Sequence, residues 1–239
     1  MRYRTAMATL VVAEMALIFD LARFDANADP QIIPGGGPKV TLVAQAPRVS
    51  KKAKEPTATS EWGTWLGPNG NGISRETGLV RSFPEEGPNV LWRARLGTGC
   101  SGIADAGGRA ITLYGDGGRE YAVCFDEAKG ERLWRIDLDA DFSEGRCPGP
   151  RAAPTIDGDR VYVLGASGQL RCLATTTGDA IWKLNVIEAL GIRQHEEGSS
   201  PTPLIHGKQL IVAVGNSVFA LDKMSGKSLW KALDEPMNC

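Results

Sequence analysis

Three tryptophans set the terms on which this chain can fold. Trp134, Trp182 and Trp230 stand 48 residues apart, and each closes a segment of the same form. Phe125-Asp126-Glu127-Ala128-Lys129-Gly130-Glu131-Arg132-Leu133-Trp134 aligns with Leu173-Ala174-Thr175-Thr176-Thr177-Gly178-Asp179-Ala180-Ile181-Trp182. Leu221-Asp222-Lys223-Met224-Ser225-Gly226-Lys227-Ser228-Leu229-Trp230 is the third copy. A glycine lies four residues before each tryptophan, and Leu or Ile directly before it. Upstream, residues 154–163 align with residues 203–212 at an offset of 49. A looser copy runs through Ile103, Gly107-Gly108-Arg109 and Ile111-Thr112-Leu113, and Trp92 stands 42 residues before Trp134. A fixed period of this length marks a chain built by stacking one supersecondary unit.

Within one period the local signals predict strands at residues 203–205, 209–214, 218–221 and 228–232, with turns between them. Gly130, Gly178 and Gly226 suit the positive-φ position that such turns need. Four strands joined by hairpins in about 48 residues is the size of a propeller blade. The runs 161–164 and 210–214 are apolar on consecutive residues, so both of their faces are expected to be buried. A β-sandwich would alternate, with a polar outer face. The predicted fold is all-β, an incomplete β-propeller of about three four-stranded blades. Its 29 glycines and 14 prolines suit many tight turns between short strands. Trp92, in Val90-Leu91-Trp92-Arg93, is expected to end the strand that begins the domain. In this reading Trp134, Trp182 and Trp230 are architectural: each indole packs on the adjoining blade and gives its N–H to a carbonyl there. Identical placement in every repeat is what stacking requires, whereas a ligand site is asymmetric.

The Asp-x-x-x-Gly-x-x-x-Trp pattern set between strands resembles the PQQ-type repeat of quinoprotein-like propellers, over about residues 61–233. The lead-in Trp62-Gly63-Thr64-Trp65-Leu66-Gly67-Pro68-Asn69-Gly70-Asn71-Gly72 is similar to the opening of many members. One repeat departs, with Ala174 where the others have Asp126 and Asp222, which removes a side chain that stabilises the turn. The resemblance implies two functional classes. One is the quinoprotein alcohol or sugar dehydrogenases, in which PQQ and a calcium-type cation sit at the propeller centre. The other uses the repeat as a platform, as in the propeller subunit of outer-membrane barrel assembly. Fold alone does not choose between them. The residues lean to the platform. No adjacent cysteine pair is present, and no motif assigns the Glu, Asn and Asp roles that hold the cation. No cofactor is therefore expected, with PQQ and calcium belonging only to the dehydrogenase alternative, for which this chain would be the N-terminal part.

Several other classes are poorly supported. A net charge of −1 lacks the basic field of a nucleic-acid surface. The five cysteines, Cys100, Cys124, Cys147, Cys172 and Cys239, form no CxxC or CxxCH pair, and Cys124 and Cys172 lie in apolar strand patterns as buried thiols. His195 and His206 are the only histidines, with no third ligand at metal spacing. His195 beside Glu196 reads as a loop rather than an acid–base pair, and no catalytic residue is assigned. Loops gathered at one end of a propeller are the usual place for recognition. The longest are residues 139–151 and 188–201, about one period apart and so expected on one face. Asp141, Arg146, His195 and Glu196 are the candidate partner-loop residues.

Residues 1–28 carry Arg2 and Arg4, an apolar run from Ala6 to Phe19 broken by Glu14, and Ala26-Asn27-Ala28, the order of an export signal. No cysteine closely follows that run, so no lipid anchor is indicated. Residues 29–60, rich in Pro, Gly, Ala and Lys, read as a disordered linker, and residues 61–239 as the propeller repeats. Only three full periods are present, so the chain reads as the N-terminal part of a larger propeller or as one that closes by self-association. The function expected is a non-catalytic envelope or secreted scaffold that binds protein partners.

Overall fold

A computed structural model describes residues 41–42, 61–142, 148–194, 196, 198–215 and 217–232, with Arg75 and Glu86 excepted. The expected export signal, Arg146, Cys147, His195, Cys239 and all of the expected linker but two residues lie outside these. The first strand, β1 (Thr41–Leu42), is followed by β2 (Ala104–Ala106), β3 (Arg109–Asp116), β4 (Arg119–Asp126) and β5 (Arg132–Ala140). Next come β6 (Thr155–Asp157), β7 (Arg160–Leu164), β8 (Gln169–Ala174), β9 (Ala180–Asn185) and α1 (Val186–Leu190). The last four are β10 (Leu204–His206), β11 (Gln209–Val214), β12 (Ser217–Asp222) and β13 (Ser228–Ala232). They form three antiparallel meanders, β2 to β5, β6 to β9 and β10 to β13, and these are three propeller blades. Among the described residues no helix is long and apolar enough to cross a membrane.

Two departures from the sequence reading sit at the margins. Thr41–Leu42, within the expected linker, pairs with Lys183 and Trp182 on the outer edge of β9. An edge strand carries unpaired N–H and C=O groups, which an extended segment of the chain can satisfy. The segment around Trp92 forms no strand, because no described sheet lies beside it to complete a ladder. Its indole nevertheless lies on blade 1 as a preceding blade's would.

The lead-in is held at the inner strands. Trp62 exchanges both backbone hydrogen bonds with Asp105 of β2 (2.7 and 3.0 Å), and the Ile156 N–H of β6 donates to the Gly63 carbonyl at 2.7 Å. One short segment thus clips the innermost strands of blades 1 and 2.

Cross-strand register explains how the blades stack. It places Ala104, Ile111, Cys124 and Trp134 in one row across blade 1. The matching row of blade 2 is Thr155, Tyr162, Cys172 and Trp182, and that of blade 3 is Leu204, Ile211, Ala220 and Trp230. Rows one and two are buried throughout. Burial pushes the Cys124 and Cys172 thiols up to about 11, which keeps them protonated and unreactive.

The tryptophans stitch the stack. Trp92 Nε1 donates to the Glu127 carbonyl at 2.7 Å, Trp134 Nε1 to the Thr175 carbonyl at 2.9 Å, and Trp182 Nε1 to the Lys223 carbonyl at 3.1 Å. Glu127, Thr175 and Lys223 hold the same place in successive copies of the repeat. Each ring also lies on the glycine of that next turn: a Cβ on Gly130, Gly178 or Gly226 would come within 2.5–2.8 Å of Cδ2 of Trp92, Trp134 or Trp182. Those glycines have φ of +72°, +76° and +70°. Glycine is thus required twice, for the left-handed backbone and for the indole's close approach.

Blade 3 differs on one face. In β7 the four residues Val161–Leu164 are all buried, whereas β11 alternates between half-buried and buried. Leu204 is 56% exposed, and Ile211 and Trp230 are only half-buried. The consecutive apolar run in β11 therefore has one dry face, against blade 2, where two were expected. No described element covers the other.

A candidate interaction face at the loop end

The two long loops leave the same end of blades 1 and 2, where strands β5 and β9 finish. Their described parts converge on the β7–β8 turn. The Ala166 carbonyl accepts from the Ser199 N–H at 2.8 Å and from Gln194 Nε2 at 3.0 Å. The Ala166 N–H donates to Glu120 Oε2 at 3.0 Å. One residue of blade 2 thereby joins a strand of blade 1 to the second loop. Ser167 Oγ donates to Asp139 Oδ2 at 2.9 Å alongside. The loops also touch directly, since a Cβ on Gly198 (φ +77°) would lie 2.9 Å from the Phe142 ring. Arg171 of β8 adds a cross-blade tie, with Nη1 donating to the Asp137 carbonyl at 2.9 Å and Nη2 to that of Leu138.

Glu120 is the unusual group here. It is fully buried, and Oε1 has no hydrogen-bond partner. Burial raises its pKa from 4.5 to about 7, opposed by the Ala166 N–H and reinforced by the charges of Asp141 and Asp139. Asp141 starts the first loop; its N–H donates to the Gly118 carbonyl at 2.9 Å, and its Oδ1 is buried without a hydrogen-bond partner. Of the candidate partner residues, Asp141 and Glu196 are described: Asp141 is half-buried in the joint, and Glu196 is exposed. Arg146 and His195 lie outside the described residues. Sequence reasoning passed over Glu120, Ala166 and Gln194. The signal for Glu120 was a carboxylate heading the apolar strand Tyr121-Ala122-Val123-Cys124-Phe125, where the positions one and two periods on are the uncharged Gly168 and Asn216.

The second loop opens with α1, where a plain loop was expected. Asn185 caps it by accepting from the Ile187 and Glu188 N–H groups, and Gly191 ends it at φ +60°. The helix carries its chain outward from β9 before it returns to Ala166. Arg193 and Glu196 are left exposed at the tip.

At the opposite end a cavity of about 360 Å³ lies under the lead-in, lined by Glu61, Thr64, Pro68, Arg109, Ile156 and Thr175 among others. Nearby Asp105 is raised to about 6 by burial and by the charges of Glu127 and Glu61. Nothing there converges on a reacting centre, and among the described residues no three His, Cys, Asp or Glu side chains are grouped to hold a metal ion.

Residues 76–237, more than half of the chain, match the family model described as outer membrane protein assembly factor BamB. The chain belongs to this family. Among curated proteins, none matches the BamB-like chain. Among solved structures it is similar to BamB from Moraxella catarrhalis, at 20% identity over 56% of this chain and 36% of that one, with a TM-score of 0.41. It is also similar to the quinohemoprotein alcohol dehydrogenase of Comamonas testosteroni, at 20% identity over 58% and 21% of the two chains, TM-score 0.46. Quinohemoprotein alcohol dehydrogenase ADHIIG from Pseudomonas putida HK5 matches at 16% identity over 61% and 22%, TM-score 0.46. The BamB-like chain thus spans between 21% and 36% of the length of these solved propellers.

Proposed function

We propose that this chain is a non-catalytic, exported interaction module that binds a protein partner of the outer-membrane protein assembly machinery. The binding surface is the loop end of blades 1 and 2. The observation that carries the reading is the joint at Ala166, which fixes both long loops to one turn and leaves Arg193 and Glu196 exposed at its rim. Recognition loops held by a rigid scaffold lose less entropy on binding. The description of the matching family model supports this class of partner. Export draws support from Cys100, which is disulfide-bonded, because disulfides persist in oxidising compartments. The reading assigns no cofactor: the chain has no adjacent cysteine pair, and among the described residues no three His, Cys, Asp or Glu side chains are grouped to hold a metal ion.

Reversing the two exposed charges, Arg193→Glu with Glu196→Arg, tests the surface while sparing the Ala166 joint. The doubly changed protein, used as bait in detergent-solubilised envelopes, should recover assembly-machinery subunits about tenfold less well, the equivalent of 1.4 kcal/mol, with an unaltered melting curve. Undiminished recovery would contradict the surface. Stoichiometric uptake of PQQ with calcium, followed by dye reduction, would contradict the non-catalytic reading.

A further inference from the structure

The joint at Ala166 is built around a carboxylate that the fold shuts away from water. Glu120 is fully buried, and the backbone of blade 2 closes directly on it. A Cβ on Gly165 would lie 2.7 Å from Glu120 Oε2, the oxygen that accepts from the Ala166 N–H at 3.0 Å. Its other oxygen, Oε1, has no hydrogen-bond partner. Across the strand pair Glu120 stands opposite Gly115, and Asp141 occupies the space that a side chain would take there. A Cβ on Gly115 would lie 3.1 Å from Asp141 Oδ1 and 2.7 Å from Thr98 Oγ1. Asp139 is opposite Glu120 on β5 and accepts from Ser167 Oγ at 2.9 Å. The charges that act on Glu120 are those of Asp141 and Asp139, both negative. The blade 2 turn and the second loop meet the joint with Gly165, Ala166, Ser167 and Ser199, none of which titrates, while Arg171 of β8 is tied to the Asp137 and Leu138 carbonyls. Ionising Glu120 in place sets a further negative charge beside two others, with only the Ala166 and Phe142 N–H groups to receive it.

We propose that Glu120 is a pH-sensitive clasp: protonated, it lets blade 2 and both long loops close on blade 1, and on losing its proton it opens that joint. The proton passes to the water that enters between the blades as they part. Burial and the neighbouring carboxylates raise the pKa of Glu120 from 4.5 to about 7, which puts the transition near neutrality. The closed joint binds this proton more tightly than the open one. Closure is therefore fully supported below about pH 4.5 and weakens as pH rises through about 7. The consequence for function rests on the interaction surface proposed above: opening the joint frees the loops that form it, so capture of the partner should be weaker above neutrality.

Amide hydrogen exchange of the intact chain, followed by NMR from about pH 5.5 to 8.5 and corrected for the intrinsic rate, tests the clasp without any partner. Protection of the Ala166 and Ser199 N–H groups should fall by roughly thirtyfold over that range. The Gly226 N–H, in blade 3, should keep its protection. Glu120→Gln should make protection at the joint independent of pH, and Asp141→Asn, which removes one like charge, should shrink the fall. Constant protection in the parent, or the parent's fall retained in Glu120→Gln, would overturn the proposal. Recovery of assembly-machinery subunits at about pH 6 and pH 8 reads the consequence: the parent should recover several-fold less at the higher pH, and Glu120→Gln should not. A fall in protection with unchanged recovery would overturn the regulation. Recovery at neither pH would count against the surface itself, and the exchange result would still decide the clasp.

Discussion

Trp182 does two jobs with one side chain: it fills the space between blades 2 and 3 and satisfies the Lys223 carbonyl. Trp182→Ala should cost about 3–5 kcal/mol, read from the midpoint of urea unfolding, because the gap adds to the lost burial, while the Tyr162 hydroxyl still donates to the Lys223 carbonyl. Glu120 makes a prediction of a different kind. Its carboxyl titrates near 7 in the folded chain and near 4.5 when unfolded, so between those values the native state holds the extra proton. Stability should therefore be highest below about pH 4.5 for this group and fall as pH rises towards 7, by on the order of 3 kcal/mol in all. Glu120→Gln keeps an oxygen for the Ala166 N–H and cannot ionise. Its unfolding free energy, measured from pH 5 to 8, should lack that decline; a variant with the parent's slope would show that another group is responsible. The row of repeated residues announced Trp182, but nothing repeated announced Glu120, because it appears in one blade only.

At the scale of a turn, the repeat can be tested against its own exception. Asp126 Oδ1 accepts from the Ala128 and Lys129 N–H groups, and Asp222 Oδ1 from those of Met224 and Ser225. Ala174 has no such oxygen, yet the Gly178 N–H still reaches the Ala174 carbonyl at 2.8 Å, as the glycines of the other two turns do. The backbone shape survives the missing side chain. Ala174→Asp should raise stability by about 0.5–1.5 kcal/mol in urea unfolding, the net worth of a local hydrogen bond. The glycines give a paired contrast. Gly158→Ala meets nothing within 4 Å and carries only the left-handed φ of +62°, at about 1 kcal/mol. Gly178→Ala has a similar φ and drives its Cβ to 2.8 Å from the Trp134 ring, so it should cost at least about twice as much. Equal costs would remove the indole seat from the account. Strand bounds were legible because turns and apolar runs are local: β11 and β13 fall on the residues predicted for them. The helix α1 was hidden in a five-residue stretch, although its caps, Asn185 and Gly191, stand in the sequence. Periodicity is too weak a guide over so short a helix.

For the whole molecule, the sequence carried the blade and its order of stacking but not the state of its faces. An apolar run shows which residues need cover; whether Ile211 and Trp230 find it depends on elements far away or on another chain. The disulfide at Cys100 was likewise invisible, since pairing follows three-dimensional distance. Alkylation of the native, unreduced protein should leave Cys100, Cys124 and Cys172 all unlabelled, and denaturation without reductant should release only the last two. The gathering of both long loops at one end was readable from their spacing, whereas the Ala166 joint that binds them needed coordinates. That joint makes the loop end a single surface, and the proposal that partners bind there is open to one direct measurement. A photoreactive residue placed at exposed Glu196, and separately at exposed Lys208 on the opposite end, should be irradiated in intact envelopes. The account predicts a protein adduct from position 196 that contains an assembly-machinery subunit, and none from position 208. Adducts from position 208 alone, or none from either, would contradict it.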